Sequence, residues 1–111
     1  MNWYQIGVVV AVIGAGLIGR AWSIVFARAG FDVTLWDPYP QQVEAARIFI
    51  GERLPELQEA GLIKEPPALV AGRVRPAATL TGAVRDAIHV QENGPERIPV
   101  KQSIFAELDP Q

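Results

Sequence analysis

The chain has 111 residues, enough for one modest domain and no more. Half of them are hydrophobic and 20% are charged, which predicts a globular core and excludes a disordered chain. A net charge of −2 gives no reason to expect nucleic acid or a membrane surface as partner, and the lack of cysteine excludes disulfides, thiolate metal sites and a cysteine nucleophile, as suits a reducing cytoplasm.

Residues 6–13 (IGVVVAVI) form an unbroken apolar run, the pattern of a strand buried on both faces of a parallel sheet. The apolar stretch 6–18 contains three glycines and is cut off by Arg20, short of the roughly 20 residues a bilayer span needs. Residues 1–5 carry no basic side chain and no cleavage pattern follows, so no signal peptide is predicted. After the strand come Gly14-Ala15-Gly16-Leu17-Ile18-Gly19, and from Gly19 a helical periodicity runs to Ala29, with Gly30 placed as its stop. A second strand, 32–36, ends in Asp37.

Further on, Val43, Ala46, Ile50, Leu54 and Leu57 recur at helical spacing over 41–57 and predict a helix covering one face of the sheet. Pro55 predicts a kink or a restart in it, and Gly61 its stop. Residues 64–72, with Pro66-Pro67, read as a loop or a short helical excursion. Residues 73–80 are a strand candidate that Pro76 counts against, 81–86 a short helix, and 87–91 the next strand. Glu92-Asn93-Gly94-Pro95 then turns into a last helix with Ile98, Phe105 and Leu108 on its apolar face and Ile104 and Ala106 nearby. This alternation predicts an α/β fold of the doubly wound (Rossmann) type: a parallel sheet of about four strands in the order 3-2-1-4, with ligand at the carboxyl ends near the switch between strands 1 and 4.

The glycine cluster gains its meaning from that setting. Strand, glycine turn, helix, second strand and terminal acid together make the dinucleotide-binding fingerprint, although G-x-G-x-x-G alone recurs by chance and FAD-binding folds use a similar turn. Gly14 allows the tight exit from the strand, Gly16 has no side chain to hold off a diphosphate, and Gly19 lets helix and sheet approach closely. The helix start, with Ala15, Leu17 and Ile18, offers amide N–H groups and a partial positive charge to phosphate. The Asp37 carboxylate would accept hydrogen bonds from ribose hydroxyls and repel a 2′-phosphate. Pro38-Tyr39 follows it rather than an arginine, so NAD is expected over NADP.

Other candidates are few. His89 reads as a sheet residue, Glu92 as a turn carboxylate or a group on the nicotinamide side, and Trp22 and Trp36 as core or helix–sheet packing. Trp3 is a terminal residue, and no Ser-His-Asp arrangement or metal-ligand spacing is visible.

The stretch 14–40 (GAGLIGRAWSIVFARAGFDVTLWDPYP) and the stretch 89–109 (HVQENGPERIPVKQSIFAELD) resemble the NAD-binding domain of the 3-hydroxyacyl-CoA dehydrogenase family. Arg20-Ala21-Trp22 and the VQENGPE block are most similar to the branch that contains lambda-crystallin, an L-gulonate 3-dehydrogenase, whereas residues 65–83 add little to the resemblance. The resemblance implies phosphate contacts on Gly14 to Gly19, a ribose contact on Asp37, and cofactor contacts on Glu96 and Lys101. Glu96 also falls where it would close a capping box with Asn93, a role compatible with a cofactor contact, and Lys101 also fits a solvated surface position. The two are five residues apart, which is not the spacing of a helical ion pair. Pro99 departs from the family pattern inside the last helix. Arg53 and Ala60 stand where the fatty-acyl branch has a serine and a lysine that contact coenzyme A, so that site does not carry over.

The resemblance further implies an NAD-dependent oxidation of a secondary alcohol to a ketone. The substrate would be an acyl-CoA or, as Arg53 and Ala60 favour, a small hydroxy acid or polyol. The family's catalytic histidine, its serine-bearing strand end and its helical dimerisation domain would lie beyond Gln111. The chain is therefore expected to be the N-terminal portion of a homo-oligomeric dehydrogenase, inactive alone. The competing expectation is a non-catalytic dinucleotide-sensing or interaction module.

Overall fold

The computed structural model of the chain describes residues 8–93. The beginning of the first predicted strand, Trp3, the last predicted helix with Pro99, and both Glu96 and Lys101 lie outside the described residues.

Strand β1 (Val9–Ile13) takes the centre of a four-stranded sheet. On one side it pairs with β2 (Asp32–Trp36) and on the other with β4 (Ala87–Glu92), while β3 (Val74–Pro76) flanks β2. Every pairing is parallel, and the order is the expected 3-2-1-4. Burial explains why β1 had to be apolar throughout: Val10, Ala11, Val12 and Ile13 are all buried, so both faces of the strand are covered. The register with β4 shifts between Val9 and Val10, whose partners are Ala87 and His89, leaving Ile88 as the extra, exposed residue of a bulge.

Helices lie on both sides of this sheet. On one face Val12, Val33 and Leu35 meet Ile24 and Ala27 of α1 (Leu17–Arg28) and Val43, Ala46, Ile50 and Leu54 of α2 (Pro40–Glu59). Val70 of α3 (Pro67–Ala71) joins the same cluster. On the other face Ala11 and Ile13 meet Leu80, Ala83 and Val84 of α4 (Leu80–Val84). The alternation along β1 is the period of two that sends successive side chains to opposite faces. No helix among the described residues is long and apolar enough to cross a membrane.

Both long helices end by one device. At Gly30 (φ 102°) the N–H donates to the Ala27 carbonyl at 3.1 Å, and the next N–H, from Phe31, reaches back to Phe26 at 3.1 Å. The Phe31 ring then packs edge-on against Phe26, centroids 6.3 Å apart. Gly61 and Leu62 close α2 in the same pattern, on the carbonyls of Gln58 and Leu57 at 3.0 and 2.8 Å.

The elements depart from expectation in four places. Helix α1 starts at Leu17, so Gly19 lies within its first turn rather than before it. Helix α2 continues through Pro55 as one element, so of the expected kink or restart the restart does not occur. Gly51 and Pro55 are both exposed there, and water can satisfy the carbonyl that lacks a donor. Residues 73–80 supply only the three-residue β3, at the sheet edge, where a proline that cannot donate is tolerated. The short helix begins one residue early, at Leu80, because the Thr79 hydroxyl caps it by accepting the Gly82 N–H at 2.9 Å.

A half-buried ion pair ties these parts together. Arg73 donates to the Ala27 carbonyl at 2.8 Å and grips the Glu65 carboxylate with two nitrogens at 2.8 and 2.6 Å. It thereby joins the end of α1, the segment before α3 and the start of β3. The guanidinium holds the Glu65 carboxyl below its ordinary pKa of 4.5 by hydrogen bonding and charge.

Candidate functional site

The glycine turn sits at the carboxyl end of the sheet, where β1 hands over to α1. Gly14 leaves the strand with φ 101°, a conformation costly for any side-chain-bearing residue, and its N–H donates to the Trp36 carbonyl at 2.8 Å. Gly19 is required by packing: a Cβ there would stand 1.8 Å from the Gly14 oxygen. Gly16 is required by neither. Its backbone (φ −72°, ψ −168°) suits any residue, and a Cβ would meet nothing within 4 Å. The space that Cβ would fill lies at the start of a helix with no side-chain cap and no acid in its first turn. Leu17 and Ile18 are exposed there, at 72% and 64%. Such a helix end presents free amide donors and the positive end of the helix dipole to an anion.

Asp37, at the end of β2, faces this turn. One carboxylate oxygen accepts the Ala15 N–H at 2.8 Å and the other the Tyr39 N–H at 2.9 Å. Each oxygen has lone pairs left for further donors. Beside Asp37 a cavity of about 190 Å³ opens between the ends of β2 and β3, lined by Trp36, Asp37, Pro40, Val43, Glu44, Arg47, Pro76, Ala77 and Ala78. Apolar residues from β2, α2 and the exit of β3, with the charged Asp37, Glu44 and Arg47 among them, suit a flat heterocycle joined to a hydroxylated sugar. A larger hollow, about 410 Å³ near Arg28, Gly61 and Lys64, lies at the opposite end of the sheet, away from the glycine turn.

The structure thus brings Gly14, Ala15, Gly16, Leu17, Ile18, Gly19 and Asp37 into one locality. Glu96 and Lys101, outside the described residues, are not placed. His89 is a sheet residue as expected, exposed on β4, its ring 5.9 Å from Phe26 and its Nε2 3.2 Å from the Gln91 amide oxygen. Glu92 ends β4 opposite Ile13. The Asn93 side-chain amide donates to the carbonyls of Ile13 and Gln91 at 3.3 and 3.2 Å. Trp36 packs against the α4 cluster, but Trp22 corrects its expected role: it is 37% exposed on α1 and stacks on Phe26 at 5.5 Å.

Two features were not anticipated from sequence. The cavity wall from Pro76 to Ala78 gives a pattern signal only as the small-residue segment that follows a strand. Arg20 carried part of the family resemblance but no role, because a basic residue in the first turn of a helix reads as solvated surface. Its Nε in fact donates to the Ala15 carbonyl at 2.9 Å, its Nη2 to the Gln42 side chain at 3.1 Å, and its guanidinium lies 5.6 Å from the Phe49 ring centroid.

Known proteins share both sequence and fold with this chain. A lambda-crystallin homolog from Bos taurus is 41% identical over 106 residues, covering 90% of this chain and 32% of that protein. An L-carnitine dehydrogenase from Streptomyces griseus is 38% identical over 100 residues, covering 90% and 29%. The crystal structure of 3-hydroxybutyryl-CoA dehydrogenase from Escherichia coli K12 superposes with a TM-score of 0.78 at 30% identity, over 91% of this chain and 21% of that one. The chain spans about a third of the length of the curated relatives it matches. Residues 9–111 match the family model for the "3-hydroxyacyl-CoA dehydrogenase, NAD binding domain", whose cofactor is NAD, and the chain belongs to that family.

Proposed function

We propose that this chain holds the adenosine and diphosphate parts of NAD, as the N-terminal portion of a dehydrogenase. The diphosphate lies against the amides of Gly14 to Gly19, the ribose hydroxyls on Asp37, and the adenine in the cavity beside it. The observation that carries this reading is Gly16, a glycine that neither the backbone nor the packing of the fold demands, beside an uncapped helix end. Glu96 and Lys101 are proposed as further cofactor contacts from the family resemblance.

In the longer protein, bound NAD supplies the hydride acceptor that turns a secondary alcohol into a ketone. This chain's part would be to hold the dinucleotide by its adenosine and diphosphate, leaving the reaction to residues supplied from elsewhere. A small hydroxy acid or polyol fits better than an acyl-CoA, given Arg53 and Ala60, and one relative is named for L-carnitine, itself a small hydroxy acid. We further propose a cytoplasmic homo-oligomer with neither nucleic acid nor membrane as partner.

Titration of the purified chain, followed by NADH fluorescence, tests the core of this reading. A saturable change is expected, and a flat response up to about millimolar NADH removes it.

A further inference from the structure

We propose that Arg20 is a positioning residue for the dinucleotide, holding the glycine turn in its diphosphate-binding geometry by bracing it against α2. This rests on the NAD-binding reading above and adds to it a residue that acts through the backbone of the turn. The Arg20 Nε grips the carbonyl of Ala15 at 2.9 Å. That carbonyl and the N–H of Gly16 belong to one planar trans peptide, in which they point in opposite directions. Fixing the first aims the second. With the Ala15 oxygen held toward Arg20, the Gly16 amide is directed away from it, and a Cβ on Gly16 would find open space.

A peptide bordered by glycine is otherwise soft, because glycine has the widest choice of backbone conformations. The peptide before it is held from the other side, by Asp37 on the Ala15 N–H at 2.8 Å. The two side chains come from different elements and secure consecutive peptides of one turn. Arg20 is itself anchored on α2, through Gln42 at 3.1 Å and the Phe49 ring. The same helix supplies Pro40, Val43, Glu44 and Arg47 to the cavity. Arg20 is therefore the strut between the diphosphate turn and the helix that walls the adenosine cavity. Preformed donors cost less ordering when the ligand arrives, so the strut acts on affinity for the diphosphate.

The experiment compares ADP with adenosine, each displacing NADH from the full chain, in wild type, Arg20→Met and Arg20→Lys. Lysine keeps the charge but has one ammonium, which cannot hold Ala15 and Gln42 together in the fork geometry of a guanidinium. Loss of one net hydrogen bond predicts that both variants bind ADP and NADH about fivefold more weakly, with adenosine unchanged and the melting temperature preserved. If Arg20→Lys binds ADP like wild type, the joint hold on Ala15 and Gln42 is not what positions the turn, and the proposal fails. A parallel loss for adenosine and ADP would make Arg20 a general structural residue and also overturn it. Absence of NADH binding by the wild-type chain would bring down the NAD reading itself, and this inference with it.

Discussion

Three glycines with one spacing have three separable causes. Gly19 lies against the Gly14 backbone, so Gly19→Ala pushes a methyl into an oxygen that cannot move without opening the strand exit. We expect that variant to lose about 2–3 kcal/mol of stability, read from urea unfolding. A Cβ at Gly16 meets open space, so the unfolding midpoint of Gly16→Val is expected close to wild type while NADH binding disappears. A Gly16→Val protein that binds NADH normally would show that the turn is not the diphosphate site. Asp37 has a double role to separate, since it holds the Ala15 amide as well as facing the ribose position. Asp37→Ala is expected to weaken NAD binding and to narrow the preference over NADP, because the carboxylate that repels a 2′-phosphate is gone. The ratio of the two dissociation constants checks this, and an unchanged ratio refutes the ribose assignment.

At the scale of elements, much of the fold was legible because the signals are local. An apolar run of strand length, two helices closed by glycine, and Asp37 at a strand end are all short-range patterns, and β2 falls on its expected residues. What the sequence hid is what depends on partners. At Pro55 α2 runs on unbroken where Gly51 is exposed to water, and α4 starts after a threonine whose capping role shows only in three dimensions. The Arg73–Glu65 pair was equally hidden: two charges eight positions apart in a stretch with little pattern become a bidentate bond across three elements. That pair fixes a pH dependence. Its carboxyl is harder to protonate folded than unfolded, so it stabilises the fold above the ordinary carboxyl pKa, and the contribution fades as pH falls through the lowered value. Glu65→Gln is expected to be less stable than wild type by about 1–2 kcal/mol at neutral pH, with the gap closing in acid as pH falls past the ordinary carboxyl pKa of 4.5 and through the lowered one. Urea unfolding at neutral and acid pH checks it, and a gap independent of pH would assign the loss to packing instead.

At the scale of the molecule, the candidate site is built from the same elements that make the core. Its turn begins at the end of the central strand, its carboxylate ends β2, and its cavity is walled by α2 and the exit of β3. A ligand seated across them binds only when the sheet and both long helices are assembled, so its free energy adds to that of the whole fold. NADH at about ten times its dissociation constant then contributes roughly 1.4 kcal/mol, which for a domain of this size raises the melting temperature by roughly 5–10 °C. Gly16→Val should melt like the wild-type chain without ligand and show no such rise. The two measurements together are discriminating. A rise that persists in Gly16→Val would mean that NADH stabilises the chain from some other surface. Binding without any rise would mean that it docks on a part that is equally available in the unfolded chain.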